Sequence, residues 1–266
     1  MTGVQTCALP ICLYEEILQG DPGHFQALYL LGFVHFQSGR FAEAERLMGA
    51  ALARNPDAID ALYNRGHALQ KLGRHAEALA SFDRVLGLNP HVVEAMNGRG
   101  KALLDLGRAE EALASYDAAL ALQQSVEAWN NRGLALEALQ RSDEALASYD
   151  RALMGRPDST IALNNRANVL YGLGRLEEAA RDYETILKLD PEFPYARGSL
   201  AFCRLRRASC RDSLTHLACR CKRVERESTK LTNRGKTRPA KLKLAERLSG
   251  SVADSASQKR SDAKRA

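Results

Sequence analysis

Carboxamides recur along this chain at a nearly fixed interval. The pairs Tyr63-Asn64, Asn97-Gly98, Asn130-Asn131 and Asn164-Asn165 stand 33 or 34 residues apart, and Asn168 follows the last of them. An amide carries two N–H donors and an acceptor oxygen, so it can pair with a backbone peptide unit whatever side chains that peptide bears. Amides repeated at this interval are candidates for gripping an extended polypeptide, with Tyr63, Asn64, Asn97, Asn130, Asn131, Asn164, Asn165 and Asn168 as the contact set. Amides that held a peptide directly would lie exposed and free of internal partners. The plainer alternative is that Asn is a soluble choice on a solvated face; recurrence favours binding.

Other reactive groups form no such pattern. Arg65, Arg99, Arg132 and Arg166 follow the amides directly, and their planar forks suit carboxylates. Asp83, Asp117 and Asp150 recur at the same period, so internal pairing, with the Arg stems packed between helices, is the expected role. Cys203, Cys210, Cys219 and Cys221 lie near His216 but lack a Cys-x-x-Cys pair, so free thiols are expected and no metal site. His and Ser residues are scattered without triad order, and no acid/base pair stands out among the regularly spaced carboxylates. The reading is of a chain without catalytic residues or a cofactor.

The elements that position the amides are repeats. Aligning on Gly, then Ala twelve residues later, then Pro a further twelve along, gives five units: 25–58, 59–92, 93–125, 126–159 and 160–193. The landmarks are Gly32, Ala44 and Pro56; Gly66, Ala78 and Pro90; Gly100 and Ala112, with Gln124 in place of Pro; Gly133, Ala145 and Pro157; and Ala167 in place of Gly, with Ala179 and Pro191. Small residues let the two helices of a unit approach closely. A bulky residue at the twenty-fourth position (Met48, Phe82, Tyr116, Tyr149, Tyr183) fills the space between units. Pro ends the second helix, because it lacks an N–H and bars its predecessor from the helical region. Turns such as Leu72-Gly73-Arg74 supply the left-handed residue that closes the first helix.

These residues resemble the tetratricopeptide-repeat (TPR) family over Phe25 to Phe193. The resemblance implies an all-α fold, a right-handed α-α superhelix whose concave wall is built from the first helix of each pair. Composition agrees, since Ala and Leu outnumber Val and Ile, and aromatics make up only 6%. No run of apolar residues is long enough to span a membrane.

The two ends differ from the repeats. Residues 1–11 look like the translation of a sequencing adapter and are set aside as unstructured. Residues 12–24 read as the end of a further repeat, with Tyr14, Ile17 and Pro22 at its late landmarks. Residues 194–207 are expected to form a capping helix, with Tyr195, Leu200 and Cys203 covering the last repeat. Beyond Arg207 the periodicity is lost. Residues 1–203 hold 19 Lys and Arg against 26 Asp and Glu, a net of −7, whereas 204–266 hold 19 against 6, a net of +13. Such a low-hydrophobicity, highly charged tail is expected to be disordered. It has no interleaved aromatics for base stacking, so a nucleic-acid role rests on charge alone and is not preferred. The Cys-free stretch from Leu13 to Phe202 suits a cytoplasmic protein.

A second resemblance enters at Asp190 to Arg207 (DPEFPYARGSLAFCRLRR), which is similar to the segment joining TPRs to the catalytic region in bacterial SPINDLY-like relatives of the protein O-linked N-acetylglucosamine transferases. In that family a similar ladder of asparagines holds acceptor polypeptides, which is what the resemblance implies for Asn64, Asn131 and Asn165, with Gly98 interrupting it. Where the family continues with a Cys-Cys-Asp-Trp-Arg-Asp-like stretch, this chain reads Ala208-Ser-Cys-Arg-Asp212 and departs. The expectation is an interaction scaffold for an extended polypeptide, the recruiting arm of a larger protein. The alternatives are the glycosyltransferase itself and a nucleic-acid-associated factor acting through its tail.

Overall fold

The computed structural model describes residues 9–207. The tail from residue 208 onward, with the expectation of disorder, and Cys210, His216, Cys219 and Cys221 lie outside the described residues. Those described form twelve helices and no strand. Helix α1 spans Leu9–Gly20. Five pairs follow: α2 (Phe25–Gln37) with α3 (Phe41–Arg54), α4 (Ile59–Lys71) with α5 (His75–Leu88), α6 (Val93–Asp105) with α7 (Ala109–Leu122), α8 (Val126–Ala138) with α9 (Ser142–Gly155), and α10 (Thr160–Gly172) with α11 (Leu176–Leu189). Helix α12 covers residues 196–207. The fold class is the all-α helix-pair solenoid expected from the repeat.

Each pair is closed by one left-handed residue. Gly39, Gly73, Gly107 and Gly174 hold φ between 73° and 77°, and Gln140 holds the same place at φ 58° despite its side chain. The second helix of each pair ends two residues before the Pro landmark. Helix α7 stops at the same place without proline. There Gln124 Nε2 donates to the Leu120 carbonyl at 2.7 Å, and Gln124 Oε1 accepts from Trp129 Nε1 at 2.8 Å. A side-chain amide thus satisfies one of the carbonyls a helix end leaves unpaired.

Packing runs along the chain. From α1 to α11 each helix packs on its sequence neighbours, and α2, α4, α6, α8 and α10 also touch one another in succession, so the first helices make one continuous wall. Ala44, Ala78, Ala112, Ala145 and Ala179 are fully buried, and so, within 2%, are Met48, Phe82, Tyr116, Tyr149 and Tyr183. A Cβ added at Gly66 would lie 2.8 Å from the Phe82 ring, one at Gly100 2.6 Å from Tyr116, and one at Gly133 2.4 Å from Tyr149. Glycine at the eighth position is therefore the room that the ring needs.

The two ends correct the sequence reading. Helix α1 begins at Leu9, inside the segment set aside, and Ile11 packs with Tyr14 and Leu18 against the core of Leu28, Leu31, Leu47 and Ala51. Ile11 extends the apolar stripe of α1, and Pro10 is tolerated in a first turn, where its missing N–H has no helical partner to lose. At the other end Tyr195 does not cover the last repeat. It follows Pro194 in a left-handed conformation at φ 64°, and its side chain is 89% exposed. Ala196, Leu200 and Cys203 are the buried residues of α12.

The buried tyrosines need partners for their hydroxyls. Tyr183 donates to Asn168 Oδ1 at 2.6 Å, and Tyr149 donates to the half-buried Glu137 of α8. Burial pushes the Glu137 carboxyl above its usual range, against a smaller lowering by the Tyr149 hydrogen bond. A folded value above the unfolded one means that Glu137 supports the fold at low pH and loses that support as pH rises through the folded value. Glu137→Gln keeps an acceptor for Tyr149 without the charge. It should raise stability at pH 7 by on the order of 0.5 kcal/mol, a modest figure because solvent screens a half-exposed carboxylate. The gain should shrink toward zero as pH falls to about 4. Urea titrations of both proteins at the two pH values measure it, and a variant less stable at pH 7 would contradict the assignment.

Candidate functional site: the wall of first helices

The amide positions meet across the first helices, each unit against the one before. Asn64 of α4 donates through Nδ2 to the Tyr29 hydroxyl of α2 at 2.9 Å. Asn165 of α10 donates through Nδ2 to Asn130 Oδ1 of α8 at 3.0 Å. The sixth position of one unit therefore bonds to the fifth position of its predecessor. This corrects the expectation of free amides: Asn64, Asn130 and Asn165 are half-buried and already paired within the wall. Asn168 accepts from Tyr183 although it is exposed, and Asn164 is half-buried.

The rungs between those two are open. At the first, Gly98 faces Tyr63, and a Cβ there would lie 2.6 Å from the Phe82 ring. Phe82 is held on both sides, by Gly66 of its own unit and Gly98 of the next, so the break in the ladder is a packing requirement. The Gly98 carbonyl instead accepts from Gln70 Nε2 at 2.9 Å. At the second, Asn131 and Asn97 stand in corresponding places, and the buried Asn97 Oδ1 has no hydrogen-bond partner. An unmatched buried acceptor costs about 1–3 kcal/mol.

These open rungs line one groove of about 290 Å³ on α4, α6 and α8. Tyr63, His67, Gln70 and Lys71 come from α4, Glu94, Asn97, Gly98 and Lys101 from α6, and Glu127 and Asn131 from α8. Its floor is aromatic: Tyr63 and His67 meet edge-on at 4.6 Å, and the Phe82 ring lies 6.1 Å and 5.2 Å from them. Burial pushes the Tyr63 hydroxyl up, and the carboxylates of Glu94 and Glu127 push it further. Burial pushes the His67 imidazole down, Gln70 raises it, and Lys101 and Lys71 lower it again. Of the sequence candidates, the structure gathers Tyr63, Asn97 and Asn131 here. The amide spacing did not reveal the charged residues around them, although Glu94, Asn97 and Lys101 share one face of α6 at helical spacing.

The arginines belong to the scaffold, as their matching acids imply. Arg99 pairs with Asp83 of the preceding unit at 2.6 Å and donates to Ser115 of its own. Arg132 does the same with Asp117 at 2.6 Å and Ser148 at 2.7 Å. Arg166 bridges Asp150 and the buried Asp182, the latter at 2.7 Å. In the second unit Arg65 turns to Glu45 at 2.7 Å, because Gly49 stands where the later units have Asp.

The repeat geometry agrees with sequence comparison. The tetratricopeptide-repeat family matches residues 13–59, 29–92, 63–126, 97–160 and 160–193. The chain belongs to this family. No curated protein matches it in sequence. Similar solved structures include TTC0263, a thermophilic TPR protein of Thermus thermophilus, at 26% identity over 68% of this chain and 100% of that one, with a TM-score of 0.57. YrrB, a TPR protein described as having an unusual peptide-binding site, matches at 18% identity over 70% of this chain and 96% of its own, with a TM-score of 0.56. The type IV pilus biogenesis factor PilW matches at 20% identity over 68% and 91%, with a TM-score of 0.60. Identities as low as those of YrrB and PilW carry the fold alone. No helix among the described residues is long and apolar enough to cross a membrane.

The packing at the interrupted rung is testable. Gly98→Asn would complete the TPR amide ladder on paper, yet its Cβ would press on a ring, not on the flexible end of a side chain. It should destabilise the protein by about 1–3 kcal/mol in chemical denaturation, and Phe82→Leu in the same chain should recover part of the loss. A Gly98→Asn protein of unchanged stability would show that the ring does not set residue 98.

Proposed function

We propose that the wall of first helices binds an extended polypeptide, so that this TPR array acts as an interaction scaffold. The observation that carries the reading is the groove on α4, α6 and α8, where an amide acceptor, Asn97 Oδ1, is left unmatched beside Asn131 over an aromatic floor. A peptide N–H supplies what that oxygen lacks, and rotating Asn97 outward to meet it sacrifices no existing hydrogen bond at that atom. The paired amides at Asn64, Asn130 and Asn165 hold the wall in register around the open rungs. The site named for YrrB is a peptide-binding one on the same fold, which agrees with this reading.

The larger setting we propose is recruitment in the cytoplasm for a protein-modifying partner or parent, on the strength of the likeness of Asp190 to Arg207 to the linker of SPINDLY-like transferases.

A photoreactive benzoylphenylalanine at Tyr63, in the groove, should cross-link to an unfolded polypeptide such as reduced, carboxymethylated lactalbumin. The same group at Ala80, exposed on α5, should cross-link at least about tenfold less. Equal yields from the two positions would sink the proposal.

A further inference from the structure

Four charged side chains of the groove have no ion-pair partner among the described residues: Lys71, Glu94, Lys101 and Glu127. Elsewhere on the array, arginine after arginine is matched to a carboxylate, as at Arg74–Glu77, Arg108–Glu111, Arg141–Glu144 and Arg175–Glu178.

The four are also sorted by sign. Glu94 and Glu127 occupy the second position of α6 and α8, next to Tyr63, whose hydroxyl feels both carboxylates. Lys101 and Lys71 lie toward the C-terminal ends of α6 and α4, next to His67, which feels both ammonium groups. Tyr63 and His67 are one turn apart on α4, so the acidic end and the basic end flank the same aromatic floor. Along α6, the seven residues from Glu94 to Lys101 rise about 10 Å. An extended chain covers that distance in about three residues.

Resting on the polypeptide-binding reading above, we propose that the groove selects segments in which a basic and an acidic side chain stand about three or four residues apart. The basic group lies between Glu94 and Glu127 and the acidic group between Lys71 and Lys101, while the backbone crosses the Asn97–Asn131 rung. Charge sets the register and orientation of the segment on a surface whose amides are indifferent to side-chain identity. A segment laid the opposite way meets like charge at both ends.

The test uses the full chain and pools of degenerate decapeptides of uncharged residues with one fixed Arg and one fixed Asp, separated by none to six positions. A pool without fixed charges is the control. Fluorescence anisotropy should show pools with two or three intervening residues binding about three- to tenfold tighter than the control, with the advantage lost in high salt. Glu94→Gln with Glu127→Gln should erase the contribution of the fixed Arg alone, and Lys71→Gln with Lys101→Gln that of the fixed Asp alone. Binding that ignores spacing and charge, with cross-linking from position 63 retained, would overturn the charge-sorted site and leave the polypeptide-binding reading standing. If no pool binds or cross-links from position 63, both are overturned.

Discussion

The insertion of one large side chain into a gap lined by residues without side chains is the contact on which this protein depends. Phe82 shows it most fully, because glycines of two successive units, Gly66 and Gly98, both yield space to the same ring. A unit of two helices buries too little apolar surface to be stable alone, so the wedge must serve the interface as well as the unit. It also sets how closely α4 and α6 approach. The groove is the surface consequence: where a ring takes the room beneath residue 98, no side chain can stand above it, and the ladder opens.

Polar contacts then divide between holding the wall and leaving it accessible. Arginines at the seventh position tie α6, α8 and α10 each to the second helix of the previous unit and to that of its own. Those charges are consumed, as the pairs of Arg132 with Asp117 and Ser148 illustrate. Amides at the fifth and sixth positions close two rungs of the wall. On α4, α6 and α8 an unmatched amide oxygen, Asn97 Oδ1, stands beside four side chains of opposite signs that have no ion-pair partner among the described residues. An array of near-identical units thus differs locally where these groups gather, and that difference is what the proposed partner would recognise.

How much of this was legible in the sequence follows from the kind of force involved. Steric landmarks were readable because they act within a unit: the Gly, Ala and ring positions repeat at a period that sterics enforce, and the arginines had acids at the same period. The open rungs were not readable, because their state depends on pairs 35 residues apart such as Asn165 with Asn130. A residue type at a fixed spacing does not reveal whether its amide is spent on a neighbouring helix. Gln124 escaped for a related reason, since its work as a helix end-cap is local and replaces proline by different chemistry. The charged residues of the groove could have been found by extending one turn either side of each amide, since helical periodicity places them on the same face.

Native-state hydrogen exchange of Phe82→Ala tests the central claim most directly. Losing this ring should cost about 3–5 kcal/mol at the interface it fills. If the wedge couples neighbouring units, protection should fall together in α4, α5 and α6, while α10 and α11 keep theirs and exchange as a separate cooperative unit. A loss confined to α5, with α4 and α6 as protected as before, would contradict the account.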